Sequence, residues 1–555
     1  MAQSLKTLIG KDTSGGGGAA ESNLEFKNFQ DFFGSLEYGD SYLPDDTRDV
    51  GNTSGGTGTG AQSRKVAYNT KVDWVVPSGV SKVRVTAIGA GGGGSTRNSS
   101  HYQGGGGGQG GGFSSGEYTV TAGQTLEIYV GRGGRAYSSN QGGGAGSDST
   151  VQLKSSDGGT GAMNVYAYGG YGGEMNGGLP PNPRGGTLSG SALAANNQLN
   201  YTGGQSGKGS NRSFGFGPEG YGGGGGGSAG SYKGNGYRGG NAVNSAGYSW
   251  TSGGGGGIGG RGGDASSDNS TGHGWWQSGA GGGTRSDGGD GTQTSNNGGC
   301  NGGQGWLDVK LVDGYDTDAE QQEPGSGSRN NNYHYGFQTT VSGDWSSPDG
   351  KWFYVMKGVR HGDGIHPAPS LDSSGGGGGN RQSTLESSGG SAGSSSRPIE
   401  GQAKTYNGIL GRLVGGGGAG VTSDNSNFGH NTYPGGEGGS GAGGGGAATT
   451  TSNNRYNSSG NWWYTFKWDV ANLAFTLFGD NASSSVNGRS YGENNMRMQG
   501  NGGCGGALGG GGGSGNYAVG GMGGIGGGGG GGNNQFSGYG GYGGHGGPGY
   551  VLIEW

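Results

Sequence analysis

Glycine enters this chain in uninterrupted blocks, among them residues 91–94, 104–108, 222–227 and 253–257. A glycine run has no side chain to bury, and each glycine loses more backbone entropy on ordering than any other residue. Such a block folds only where its N–H and C=O groups find partners. Extended segments of polyproline-II type carry no internal hydrogen bonds, so these groups point outward toward neighbouring segments. Without Cβ atoms the segments can approach closely, with Cα–H···O contacts as a weaker supplement. The expectation is a rigid core built of backbone, with residues 95–103 and 264–277 as loops at its ends. Collagen is excluded, because the glycines come in blocks rather than at every third position and there are only 13 prolines to 158 glycines. Only 27% of residues are hydrophobic. An ordinary apolar core cannot be the main support.

The net charge is -5, from 33 Lys and Arg against 38 Asp and Glu. No global basic field exists to hold a phosphate backbone, so nucleic acid is not an expected partner. The first 14 residues hold no continuous apolar region and no 18-residue apolar stretch occurs, so the expectation is a chain made in a cytoplasm without membrane insertion. Two cysteines cannot form a disulfide framework.

Four stretches follow along the chain: an N-terminal region over 1–70, a glycine-rich unit over 71–314, an acidic and polar linker over 315–334, and a second unit over 335–555. In the first stretch Phe26, Phe29, Phe33 and Leu36 fall at helical spacing, which predicts one short amphipathic helix that docks elsewhere. In residues 82–89 Val83, Val85 and Ala87 share one face while Arg84 and Thr86 share the other, the pattern of a half-buried strand. Residues 116–123 and 126–130 read as a strand pair turning at Ala122, Gly123 and Gln124, and residues 306–312 as a closing strand. The plan then recurs. Asp73-Trp-Val-Val-Pro-Ser-Gly79 returns as Asp344-Trp-Ser-Ser-Pro-Asp-Gly350, followed by strands at 352–356, 462–470 and 473–478 and a closing strand at 550–555. The predicted fold is mainly β with little helix: two tandem glycine-rich units, each with short antiparallel strands closing a polyglycine-II-like lattice, the first strand of each beside its own closing strand.

The Trp74–Val80 strand, the Val83–Gly94 run, the Ala122–Gly134 run and the terminal Gly-Pro-Gly-Tyr-Val-Leu-Ile resemble the glycine-rich domains of bacteriophage tail fibres, and the lattice resembles the polyglycine sandwich of fibre-tip adhesins. The second copy departs by placing Trp352, Phe353 and Tyr354 where valines are usual. The resemblance implies a virion tail protein, produced in the host cytoplasm, that attaches to other tail or fibre proteins and recognises a bacterial surface glycan or outer-membrane protein, with a homotrimer as one possible assembly.

Candidate receptor contacts are Trp275, Trp276 and His273, in a polar loop between glycine segments. Adjacent tryptophans on an extended chain point in different directions, and stiff aromatic faces suit sugars or protein loops. The competing reading is an aromatic cap on the end of the core. Candidate virion-attachment residues are Phe26, Phe29, Phe33 and Leu36. Trp462, Tyr464, Phe466 and Trp468 alternate as core residues do. His361-Gly-Asp-Gly-Ile-His366 lacks the further ligands of a metal site and reads as a turn. No cofactor is expected. Cys300 and Cys504 read as small buried thiols, with their pairing left open. Arg132-Gly-Gly, Arg238-Gly-Gly and Arg261-Gly-Gly are the case for a rival class, an RGG-type RNA binder. No catalytic motif emerges, so no enzyme is expected, although a depolymerase whose carboxylates come from separate strands would leave no local motif. A purely structural virion or extracellular protein is the remaining alternative.

Overall fold

A computed structural model describes residues 71–96, 104–136, 141–157, 161–175, 178–195, 198–210, 222–242, 249–265, 276–283, 287–291, 441–450, 502–515, 520–532 and 543–555, with shorter pieces at 24–25, 47–54, 61–67, 302, 352–357, 422–423, 432–433, 435, 438, 465–469 and 474–478. Among them the fold is mainly β, and the one helical turn is the 3-10 turn Ser155–Asp157.

Twelve strands form two facing sheets. In chain order they are β1 (Thr47–Ser54), β2 (Ala61–Ala67), β3 (Val72–Val75), β4 (Lys82–Ile88), β5 (Phe113–Thr119), β6 (Thr125–Tyr129), β7 (Ser149–Leu153), β8 (Asn164–Ala167), β9 (Gly186–Ser189), β10 (Leu199–Tyr201), β11 (Trp352–Lys357) and β12 (Tyr550–Glu554). The larger sheet has the order β10-β5-β4-β12-β11-β2-β1 and the smaller the order β9-β8-β7-β6-β3. Neighbours are antiparallel except β11 and β2, which run parallel. Between the sheets lies one apolar cluster, with Val83, Val85, Ala87, Val551 and Ile553 from the larger sheet meeting Val72, Leu126, Ile128, Val151 and Val165 from the smaller. Trp74 and Trp555 close one end of it with ring centroids 5.1 Å apart.

Three expectations change here. The alternation of β4 is as predicted on its apolar face, but the strand is buried on both sides. Arg84 and Thr86 have no exposure. Arg84 donates to Glu117 at 3.1 Å, Lys82 pairs with the same carboxylate at 2.8 Å, and the Thr86 hydroxyl bonds those of Ser115 and Tyr232 at 2.8 and 2.6 Å. A polar layer under Tyr232 thus replaces the solvent. Second, residues 116–130 do turn at Gly123, whose φ is +85°, yet the flanking strands enter different sheets, β5 the larger and β6 the smaller. The pair is a crossing between layers rather than a hairpin. Third, β4 pairs on one edge with β5 and on the other with β12, the closing strand of the second stretch, with Arg84 opposite Glu554 and Val85 opposite Ile553; β12 also pairs with β11, as expected of the first and closing strands of that stretch. The stretches expected as tandem units therefore share one sheet. Residues 306–312, expected beside β4, lie outside the described residues.

The strands run directly into glycine segments: β4 into 89–96, β8 into 168–173, and 543–549 into β12. These segments are not sheet; their hydrogen bonds turn with a period of three. From the block 222–227 the N–H groups of Gly223 and Gly226 reach Ser514 and Gly511, those of Gly224 and Gly227 reach Gly105 and Gly108, and those of Gly225 and Ser228 reach Gly240 and Tyr237. Its carbonyls accept with the same step from three further segments: Gly222 and Gly225 from Ser210 and Gly207, Gly223 and Gly226 from Gly253 and Gly256, Gly224 and Gly227 from Gly531 and Gly528. One strand of glycine thus has six hydrogen-bonded neighbours, and three residues per turn is the repeat of an extended polyproline-II chain. Two of the six come from residues beyond 500, so the glycine core also draws on both halves of the sequence. His545 is buried within it, where loss of solvation and the nearby Arg135 hold its pKa down to about 3.

Candidate functional site

The flank of the glycine core is where side chains return. Segments 203–210, 236–242, 261–265 and 287–291 lie side by side, joined by Gly239 N–H to Gln205 C=O at 2.9 Å, Gly262 N–H to Arg238 C=O at 2.9 Å and Gly288 N–H to Arg261 C=O at 2.8 Å. Arg238-Gly-Gly-Asn241-Ala242 and Arg261-Gly-Gly-Asp264-Ala265 stack in register. Arg238 holds both oxygens of Asp264 at 3.0 Å, and Arg261 holds both oxygens of Asp290 at 3.0 and 2.8 Å. The same carboxylates accept backbone N–H groups, Asn241 to Asp264 at 2.7 Å and Asp264 to Asp290 at 2.8 Å. Burial pushes the Asp290 carboxyl up, but the bonds from Arg261 and the Asp264 N–H outweigh it and hold the pKa below the ordinary value. Of the four Arg-Gly-Gly arginines, 132, 184, 238 and 261, two are therefore bidentate ties between neighbouring segments.

A second group lies where β8 passes into segment 168–173. On a strand, residues two apart share a face, which sets Tyr166 beside Tyr168; on a threefold chain, residues three apart share a side, which sets Tyr168 beside Tyr171. The rings of Tyr166 and Tyr168 are 4.7 Å apart, and the Arg184 guanidinium lies 5.1 Å from the centre of Tyr168 and 4.6 Å from that of Tyr171. Arg184 donates to the Gly169 carbonyl at 3.0 Å and stands 3.9 Å from Asp148, which accepts from the Tyr166 hydroxyl and, at 2.7 Å, from the Gly169 N–H. The hydrogen bond to Asp148, with burial, raises the Tyr166 phenol to about 12. The preceding Leu179-Pro-Pro-Asn-Pro loop is pinned from beneath, since Gln109 donates to the Pro181 carbonyl and Gln205 to that of Pro180 at 3.0 Å. Leu179 above them is 43% exposed. The tyrosines and Arg184 were not among the sequence candidates; the signal was present in Tyr166-Ala-Tyr-Gly-Gly-Tyr171.

Of the sequence candidates, Trp276 lies in the short strand Trp276–Gln277, paired antiparallel with Thr422–Ser423. His273 and Trp275 lie outside the described residues, as do Phe26, Phe29, Phe33, Leu36, His361, His366 and Cys300. Just before the phenylalanine stripe, Leu24–Glu25 pairs with the 465–469 strand, which itself pairs antiparallel with 474–478 as the sequence suggested. Cys504 is buried and not in a disulfide. Among the described residues no three His, Cys, Asp or Glu side chains are placed to share a metal ion, and no helix is long and apolar enough to cross a membrane.

Residues 65–311 match the family model of a glycine-rich domain. That span takes in the whole of the smaller sheet, β4, β5 and β10 of the larger, and the flank just described. No curated protein matches the chain.

Proposed function

We propose that the protein is a bacteriophage tail fibre or fibre-tip adhesin, joined to the virion by its N-terminal region and meeting a bacterial surface receptor through side chains carried on the glycine-rich body. The observation that carries this reading is a glycine core in which one block is joined by backbone hydrogen bonds to six neighbouring segments. A core of that kind is stiff and needs few large apolar residues. Loops and flanks are left free to vary for recognition. The resemblance of the Val83–Gly94 and Ala122–Gly134 runs to tail-fibre domains supports the same reading.

The RNA-binding alternative is weakened by Arg238 and Arg261, whose guanidiniums are engaged by carboxylates. A purely structural virion protein is the competing reading, and adsorption separates the two. Purified protein should bind cells of a susceptible host and compete with particles, and removal of residues 1–46, which stops short of the sheet strands β1 and β2, should leave it folded but absent from particles. Replacing Trp275 and Trp276 by Ala should weaken adsorption by about 1–3 kcal/mol if both are anchors. Protein that ignores bacterial surfaces while still entering particles would leave the structural reading.

A further inference from the structure

We infer that the Tyr168, Tyr171, Arg184 and Asp148 group is a saccharide-binding surface, and that its ligand is an uncharged hexose chain. The inference rests on the adhesin reading for its biological setting and on this group alone for its chemistry. Tyr168 and Tyr171 are both partly exposed, and they are displayed on one side of a segment whose backbone is fixed at each end: Gly170 N–H donates to Ala90 C=O and Gly173 N–H to Gly93 C=O, both at 2.8 Å. Stiff aromatic faces held this way offer contact area with little ordering cost.

The charges select the class of sugar. Arg184 and Asp148 stand 3.9 Å apart, with side-chain exposures of 35% and 29%. Opposite charges so close leave little net field to draw a sulfate or phosphate from solution. What they offer instead is a forked donor beside an acceptor, the complement of vicinal hydroxyl groups, which both donate and accept. The surface continues from Tyr171 along the Leu179-Pro-Pro-Asn-Pro loop, since Gln109 accepts from the Tyr171 N–H and donates to the Pro181 carbonyl, and Pro181 and Asn182 are exposed. That extent fits several sugar units of a chain better than one enclosed monosaccharide. Because Gln109 is fully buried and holds the loop at Pro181, the surface exists before any ligand arrives.

The test is a panel of immobilised microbial polysaccharides, neutral and acidic, probed with the full chain. Neutral hexose polymers should be retained, with affinity changing less than about twofold between 0.05 and 0.5 M salt. Tyr171→Ala and Arg184→Gln should each weaken retention at least tenfold, while Tyr171→Phe, which keeps the ring, should hold within about threefold. Melting temperatures measured alongside identify any variant that fails to fold. Retention of acidic polymers only, of no polymer, or equal retention by Tyr171→Ala and wild type would overturn the inference. Cell binding by wild type that survives both substitutions would remove this surface and keep the adhesin reading; polysaccharide binding without cell binding would do the reverse.

Discussion

A Cβ placed on Gly224 would lie 2.2 Å from the Gly207 carbonyl oxygen, and one on Gly226 would lie 2.1 Å from that of Gly528. Both obstacles are backbone, held by their own hydrogen bonds, so neither can swing aside. Gly224→Val should therefore destabilise by several kcal/mol, on the order of the larger overpacking penalties. Gly178 is the control: its added Cβ meets nothing nearer than Glu174 Cβ at 3.7 Å, so Gly178→Ala should stay within about 0.5 kcal/mol of wild type. Thermal melts of the two variants check this, and equal melts would place residue 224 in an open loop. At this scale the sequence was informative about the glycines and poor about the arginines. Block length alone signalled that glycine had to pack against glycine. Arg238 and Arg261 looked like free cations because their partners, Asp264 and Asp290, sit 26 and 29 residues away on neighbouring segments, a separation no local motif displays.

At the level of elements, the strand with the most to tell is the last. β12 lies in the interior of the larger sheet between β4 and β11, and Val551, Leu552 and Ile553 are fully buried. Ile553→Ala should cost about 2–5 kcal/mol in chemical denaturation. Val75→Ala, at a side chain 57% exposed, should cost under about 0.5 kcal/mol. A small effect at residue 553 would mean that β12 is dispensable to the sheet. Period-two alternation made β4 legible as a strand, the turn at residues 122–124 pointed to β5 and β6, and the recurring plan pointed to β12, because each of these signals is local. The pairing of β4 with β12 was not legible, since register between Val85 and Ile553 is decided by packing across most of the chain. The polar face of β4 was misread for the same reason: Tyr232, which covers Thr86, arrives from 146 residues away.

For the molecule as a whole, the repeated Asp-Trp-x-x-Pro-x-Gly suggested two bodies, whereas the hydrogen bonds tie both halves into one. Gly223 donates to Ser514, Gly226 to Gly511, Gly255 to Gly444 and Gly528 to Gly227. A repeat in sequence reports on local shape; it does not say whether two copies fold separately or interleave. Interleaving has a direct consequence for stability, because a segment bonded to six neighbours opens only when those neighbours move as well. Native-state amide hydrogen exchange on the glycine blocks measures this. The account predicts that the amides of residues 91–94, 223–227, 253–256, 509–513 and 527–531 exchange slowly and through one common opening, with the same free energy on both sides of residue 330. Exchange at unprotected rates in these blocks, or two different opening free energies for the two halves, would contradict it.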